Sequence, residues 1–178
     1  MPTIRQSSSK DLPSINTLLD AAYKRTNEKN FLEAIQHSDT FIPELSLVAE
    51  EADEVCGFIL LSRIGIRTAN EILPTLIVQP FCVREEMRGR GVGETLIEEA
   101  LKRASELNFT SCVALQCGKY FKRYGFLPAR YEFGLELYFD VEGDEFLALE
   151  LTEGALYRKS GFLLFPPVFS KIDPVLIS

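Results

Sequence analysis

Apolar residues along this chain follow two rhythms, and the switch between them marks its elements. Over residues 92–107, Val92, Leu96, Ile97, Ala100, Leu101, Ala104 and Leu107 recur at steps of one, three and four. That spacing puts them on one face of a helix and predicts that the face packs on a sheet. Glu98 and Glu99 come before Lys102 and Arg103 in this stretch, the order a helix dipole favours. Just upstream, residues 73–83 are apolar almost throughout, as expected for a central strand covered on both faces. Pro80 interrupts the run, and since proline cannot donate to a ladder, a break or bulge is expected there.

The remaining pattern fills in around this pair. Residues 3–6 alternate as a short first strand. Ser9 or Asp11 then caps a helix carrying Pro13 early and an apolar stripe of Leu12, Ile15, Leu18, Leu19, Ala22 and Tyr23. Residues 24–29 are polar and predict a turn, and 31–35 a second short helix. Two strands, 45–51 and 55–64, flank the polar turn Ala52-Asp53-Glu54 as a hairpin. Residues 65–71 predict a polar connection or a fraying strand end. A strand is expected over 110–116 and a short helix over 117–124, with Gly125 as its cap and Phe126 returning to the core. Residues 135–141 and 145–151 predict an antiparallel pair around Glu142-Gly143-Asp144.

Composition narrows the class. With 178 residues, 46% hydrophobic and 25% charged, one globular domain over 1–178 is expected, with a core of about 3–151 and a C-terminal extension over 152–178. The N-terminus does not read as a signal segment and no apolar run approaches a membrane span, so a soluble, cytoplasmic protein without membrane partners is expected. A net charge of -7 argues against nucleic acid as partner and is compatible with a cationic amine. Cys56, Cys82 and Cys112 fall in strand-like contexts and predict buried thiols. Cys112 and Cys117 lack zinc-knuckle spacing, and His37 is the single histidine, so no metal is expected.

Between the central strand and the long helix stand Arg88-Gly89-Arg90-Gly91-Val92-Gly93. A strand that ends in such a turn aims unpaired main-chain N–H groups, backed by the positive end of the helix dipole, at an anion. Gly89, Gly91 and Gly93 are free to take positive φ and keep Cβ atoms out of a ligand's way. Arg88 and Arg90 add positive charge. Together they predict a pyrophosphate cradle. Glu94 suits the helix dipole but would repel a phosphate bound beside it. A nucleotide triphosphatase is excluded, because no Gly-Lys-Ser/Thr follows the glycines.

Arg88, Gly91 and Gly93 resemble the Arg-x-x-Gly-x-Gly acyl-CoA motif of the GNAT acyltransferase superfamily. Ser46-Leu47-Val48-Ala49-Glu50, Pro80-Phe81-Cys82-Val83, Tyr124-Gly125-Phe126, residues 146–151 and Phe165-Pro166-Pro167-Val168-Phe169 resemble its YhbS-like branch. The resemblance implies an α/β (α+β) GNAT fold: a mixed, mostly antiparallel central sheet with a bulged, splayed central strand, flanked by helices. It implies acetyl-CoA as cofactor, with Arg88, Gly89, Arg90, Gly91, Val92, Gly93 and Glu94 on the pyrophosphate. Val83 would meet the pantetheine, and Phe81 and Cys82 would turn their N–H groups to the acyl carbonyl. Phe121 and Tyr124 join the coenzyme-binding set. The family's proton-donating tyrosine lies four residues before the glycine of Tyr-x-x-x-Gly-Phe; that position holds Phe121, and Tyr120 is about 100° round a helix from it. The thiolate's proton therefore comes from Tyr120 or from water. Glu44, Glu71, Glu85 and Glu86 are candidate bases, and Phe31, His37, Phe41 and Glu44 candidate walls of the acceptor pocket. Cys82 as a nucleophile has no histidine to activate it, so direct transfer is favoured. The resemblance implies an N-acetyltransferase acting on a small-molecule or protein amine, and leaves a homodimer open. The alternative is a non-catalytic acyl-CoA-binding or sensing module.

Overall fold

The structure, a computed structural model, describes residues 1–24, 27–141 and 145–171. In chain order it contains β1 (Thr3–Gln6), α1 (Leu12–Tyr23), α2 (Asn27–Ile35), β2 (Ser46–Glu51), β3 (Glu54–Arg67), β4 (Ile72–Val83), α3 (Val92–Glu106), β5 (Ser111–Ala114) and α4 (Gly118–Phe121). There follow β6 (Leu127–Pro128), α5 (Ala129–Phe133), β7 (Leu135–Glu136), β8 (Leu147–Glu150) and β9 (Gly161–Leu164). The strands form one sheet in the order β1-β2-β3-β4-β5-β8-β6, with β9 added to β3 and β7 to β9. Among the described strands the β4–β5 and β7–β9 pairs are parallel and the rest antiparallel.

Period-two alternation sorts β3 between two apolar layers. Phe58, Leu60, Ile64 and Ile66 face a core that also holds Ile15, Leu19, Phe31 and Leu32 of α1 and α2. Ile59 and Leu61 face a second core with Leu96, Ile97, Ala100 and Ala104 of α3, and Cys56 joins it across a register shift opposite Ala49 and Glu50 of β2. In β4 the alternation changes parity. Leu76 and Val78 lie on the α3 side, but beyond Pro80 it is Phe81 and Val83 that do, while Cys82 turns to the α1 side. A two-for-one bulge produces such a switch. The register shows it: Leu61 opposes Val78 and Ile59 opposes Phe81, so Leu60 faces both Gln79 and Pro80. The bulge expected from Pro80 is present.

Other segments depart from the sequence pattern. α2 starts at Asn27, inside the stretch read as a polar turn. β3 runs to Arg67 rather than ending near 64, because its pairing with β4 continues through Gly65, Ile66 and Arg67 opposite Pro74, Leu73 and Ile72, and β9 pairs with the same three residues. Residues 135–141 and 145–151 do not pair with one another: β7 covers Leu135–Glu136 and pairs with β9, and β8 pairs with β5 and β6. The turn expected at 142–144 lies outside the described residues. Part of the tail thus enters the sheet, and its Phe169 packs on Phe31 of α2 with ring centroids 5.0 Å apart.

Candidate active site

The bulge and a short β5 together open the sheet. β4 pairs with β5 only at Leu76↔Cys112 and Ile77↔Val113. Past that point the edge of β4 facing β5 has no strand partner among the described residues. Arg84 donates its N–H to the Cys56 carbonyl of β3 (2.8 Å), and main-chain groups alternate direction along a strand. Those of Cys82 therefore also point at β3, opposite Phe58, and those of Phe81 and Val83 point into the gap. Of the two residues whose N–H the sequence offered to an acyl carbonyl, only Phe81 has that group on the open edge. Tyr23, the last residue of α1, meets it there: its hydroxyl accepts from the Phe81 N–H at 3.2 Å and donates to the Phe81 carbonyl at 3.1 Å. Arg88 donates from Nε to the Val83 carbonyl at 3.3 Å.

The glycine turn closes the other end. Gly89 and Gly91 have φ of 76° and 82°, a region that a Cβ makes costly. Gly93 does not share that φ; it lies in the first turn of α3, where a Cβ would sit 2.4 Å from the Tyr120 hydroxyl and 3.1 Å from the Phe81 ring. Its smallness makes room for two aromatic side chains rather than for a turn. Thr95 donates to the Gly91 carbonyl at 3.0 Å, so the N–H groups of Val92, Gly93 and Glu94 have no acceptor within the helix. Between this turn and the β4 edge lies a cleft of about 570 Å³ whose charged lining is Arg88, Arg123 and Glu94. In a chain of net charge -7 this patch carries one net positive charge. The Arg90 side chain and the buried Val92 side chain do not line it.

Tyr120, one residue before the expected position, lines the cleft, and Phe121 is buried against Phe126 and Phe81. The Tyr120 ring stacks on Phe81 (5.6 Å between centroids, 27° between planes), with the Arg123 guanidinium 5.7 Å from its centre. Tyr124 packs beside it at 5.4 Å and also lines the cleft; its hydroxyl is buried with no hydrogen bond of normal geometry. Burial first, and that neighbouring hydroxyl second, raise the Tyr120 pKa, so the phenol stays protonated across the working range and remains a donor.

The structure gathers Phe81, Cys82, Val83, Arg88, Gly89, Gly91, Gly93, Glu94, Tyr120 and Tyr124 around one cavity. Tyr23, Met87, Gln116, Cys117 and Arg123 join them, and the hydrophobic pattern had no means of marking these. Tyr23 belongs to the stripe that reads as core. The residues named as acceptor walls lie elsewhere: Phe31 is fully buried, Phe41 packs against the α1 side of the core, His37 lines a separate hollow with Asn16 and Lys29, and Glu44 is exposed. Glu71 pairs with Lys159, and neither it nor Glu85 or Glu86 lines the cleft. Cys56, Cys82 and Cys112 are buried, whereas Cys117 is exposed. Burial pushes the Cys82 thiol up to about 12, which makes it a poor nucleophile. No group of three or more metal-ligating side chains occurs among the described residues.

Residues 43–128, from the turn before β2 through β6, match the family model described as the acetyltransferase (GNAT) domain. That segment, just under half of the chain, carries the signature of a GNAT acetyltransferase domain. The matched segment contains the bulged strand, the glycine turn, α3 and Tyr120. The curated N-acetyltransferase YhbS of Escherichia coli strain K12, named as uncharacterized, is 27% identical over 117 residues, covering 65% of this chain and 68% of that protein. The crystal structure of YhbS from Escherichia coli in complex with CoA superimposes with a TM-score of 0.84 at 23% identity, over 95% of this chain and 92% of that one. A GNAT acetyltransferase from Brucella melitensis, in complex with acetyl-CoA, gives 0.74 at 23% identity, over 95% and 98%. These two likenesses extend the GNAT fold beyond the matched segment, to nearly the whole chain. Among the described residues no helix is long and apolar enough to cross a membrane.

Proposed function

We propose that this GNAT domain transfers an acetyl group from the thioester of acetyl-CoA directly to a primary amine. One observation carries the proposal: a single cleft joins the unpaired N–H groups at the start of α3, with Arg88 and Arg123, to the open edge of β4 at Val83 and Phe81. The first end suits a diphosphate. The second suits an extended arm bearing amides, which adds to a sheet edge as a peptide would. In this arrangement Val83 pairs with the arm, the Phe81 N–H polarises the acyl carbonyl, and Tyr120 supplies the proton that the departing thiolate takes up. The C–N bond forms as the C–S bond breaks. The amine's proton leaves to water, because the one carboxylate among the described lining residues, Glu94, stands at the diphosphate end. The proposed acceptor is a small-molecule or protein amine, and the proposed location of the reaction is the cytoplasm.

A non-catalytic acyl-CoA-binding reading rests on phenylalanine at position 121; the Tyr120 hydroxyl in the cleft favours catalysis over it. The test is to incubate the protein with acetyl-CoA and a panel of amines while following free thiol. Release that depends on the amine is expected. Tight coenzyme binding without turnover for any amine would favour the binding module instead.

A further inference from the structure

The Tyr23 hydroxyl makes the two main-chain contacts at Phe81 that a neighbouring strand would have made. The bulge turns the Phe81 N–H and carbonyl away from β3, and β5 has already ended at Ala114. Left alone, a partly buried main-chain donor and acceptor would go unsatisfied. A hydroxyl both donates and accepts at one atom, whereas an ammonium or a carboxylate does only one of these. One Oη, at 3.2 Å from the nitrogen and 3.1 Å from the oxygen, therefore closes the edge across 58 positions of sequence. Burial raises the pKa of this phenol, so it keeps the proton it gives to the carbonyl. Tyr23 lines the same cleft as Val83 and Tyr120.

On the reading of the cleft given above, acetyl-CoA and CoA differ at this one place. The thioester carries a carbonyl that accepts a hydrogen bond, and the free coenzyme carries a thiol in its stead. We propose that Tyr23 holds the acyl-carbonyl position on the Phe81 N–H and must yield it to acetyl-CoA but not to CoA, so that its hydroxyl sets how the protein ranks the two. Tyr23 can give up the N–H and keep its bond to the Phe81 carbonyl by a small movement of one atom, so the exchange replaces one hydrogen bond by another. The hydroxyl thus weakens binding of the acyl donor and leaves that of CoA as it is. Once the acetyl group has moved to the amine, Tyr23 closes the edge again beside the departing coenzyme.

Calorimetry of CoA and of acetyl-CoA, without amine, on the wild-type chain and on Tyr23→Phe tests this. The phenylalanine variant is expected to bind acetyl-CoA roughly fivefold more tightly, the factor corresponding to the net contribution of one hydrogen bond, with CoA affinity unchanged. A variant in which both affinities move together, neither moves, or acetyl-CoA alone weakens overturns the proposal while leaving the cleft reading intact. A wild-type chain that binds neither ligand overturns both. Should the variant fail to fold, crystals of the wild-type chain with each ligand decide the matter. Tyr23 Oη is expected within hydrogen-bonding distance of the Phe81 nitrogen with CoA and beyond it with acetyl-CoA; contact kept in both overturns the proposal.

Discussion

At Gly93 a hydrogen atom in place of a methyl decides where a phenol stands. A Cβ there would lie 2.4 Å from the Tyr120 hydroxyl, far inside van der Waals contact. Gly→Ala within a helix ordinarily stabilises by roughly 0.5–1 kcal/mol, yet Gly93→Ala is expected to drive the Tyr120 ring off its place and lower kcat/KM by at least about tenfold. Circular dichroism should show the helix retained. Tyr120→Phe is the cleaner removal of the proton donor. It is expected to lower kcat by about a hundredfold with acetyl-CoA affinity unchanged, read from steady-state kinetics and calorimetry; an unchanged kcat would return the proton to water. Since the Tyr120 pKa is raised, kcat should not fall as pH passes the ordinary tyrosine value of about 10. The family motif's tyrosine position falls one residue away, on Phe121, because a motif counts positions and not turns. α4 ends at Phe121 and tightens into a 3-10 turn over Lys122–Tyr124 before Gly125. Each residue of such a turn advances about 120° instead of 100°, which alters which side chain faces the cleft.

Among the elements, the turn between β4 and α3 was the most legible, because its requirements are local. Gly91 stands at φ 82° as the cap of α3, and nothing lies within 4 Å of a Cβ built there. The demand at this residue is therefore conformational, and any added bulk projects into open space where a ligand would lie. Gly91→Val is expected to abolish CoA binding by calorimetry while thermal unfolding stays cooperative; unchanged affinity would count against the cradle. The bulge was legible for a related reason, since a proline within an apolar strand is itself the cause of the irregularity. β9 was not legible. Its residues pair with Gly65, Ile66 and Arg67, about a hundred positions away, and nothing local marks 161–164 as a strand that would join the end of β3 and take β7 as its partner. The same non-local pairing misled the expectation of a hairpin over 135–151.

Over the whole molecule, charge is used in two ways. Arg5 of β1 reaches both Asp11, before α1, and Glu50 of β2: its terminal nitrogens donate to the two Asp11 carboxylate oxygens at 2.8 Å, and its Nε to Glu50 at 3.1 Å. Arg5, against the opposing effect of burial and helped by the Ser8 contacts, holds the Asp11 carboxyl down at about 2 against an ordinary 3.8. A depressed carboxyl adds stability that is present above its unfolded pKa and lost as pH falls through the folded one. Asp11→Asn is therefore expected to cost about 1–2 kcal/mol at neutral pH, reduced by the partial exposure of Arg5. That cost should fade between pH 3.8 and about 2, measured by urea unfolding at several pH values. The second use is the cleft, where Arg88 and Arg123 face outward from an acidic chain. Coenzyme affinity is expected to fall as salt is raised, as it does for partly exposed charges within a Debye length of each other.

The expectations for the cleft assume that the α3 turn and the open edge of β4 hold two ends of one ligand. A crystal structure of the chain with acetyl-CoA measures that directly. The diphosphate should accept hydrogen bonds from the N–H groups between Gly89 and Glu94, with the thioester lying toward Phe81. A diphosphate bound away from the α3 turn, or a cleft left empty in crystals grown with saturating acetyl-CoA, would contradict the account.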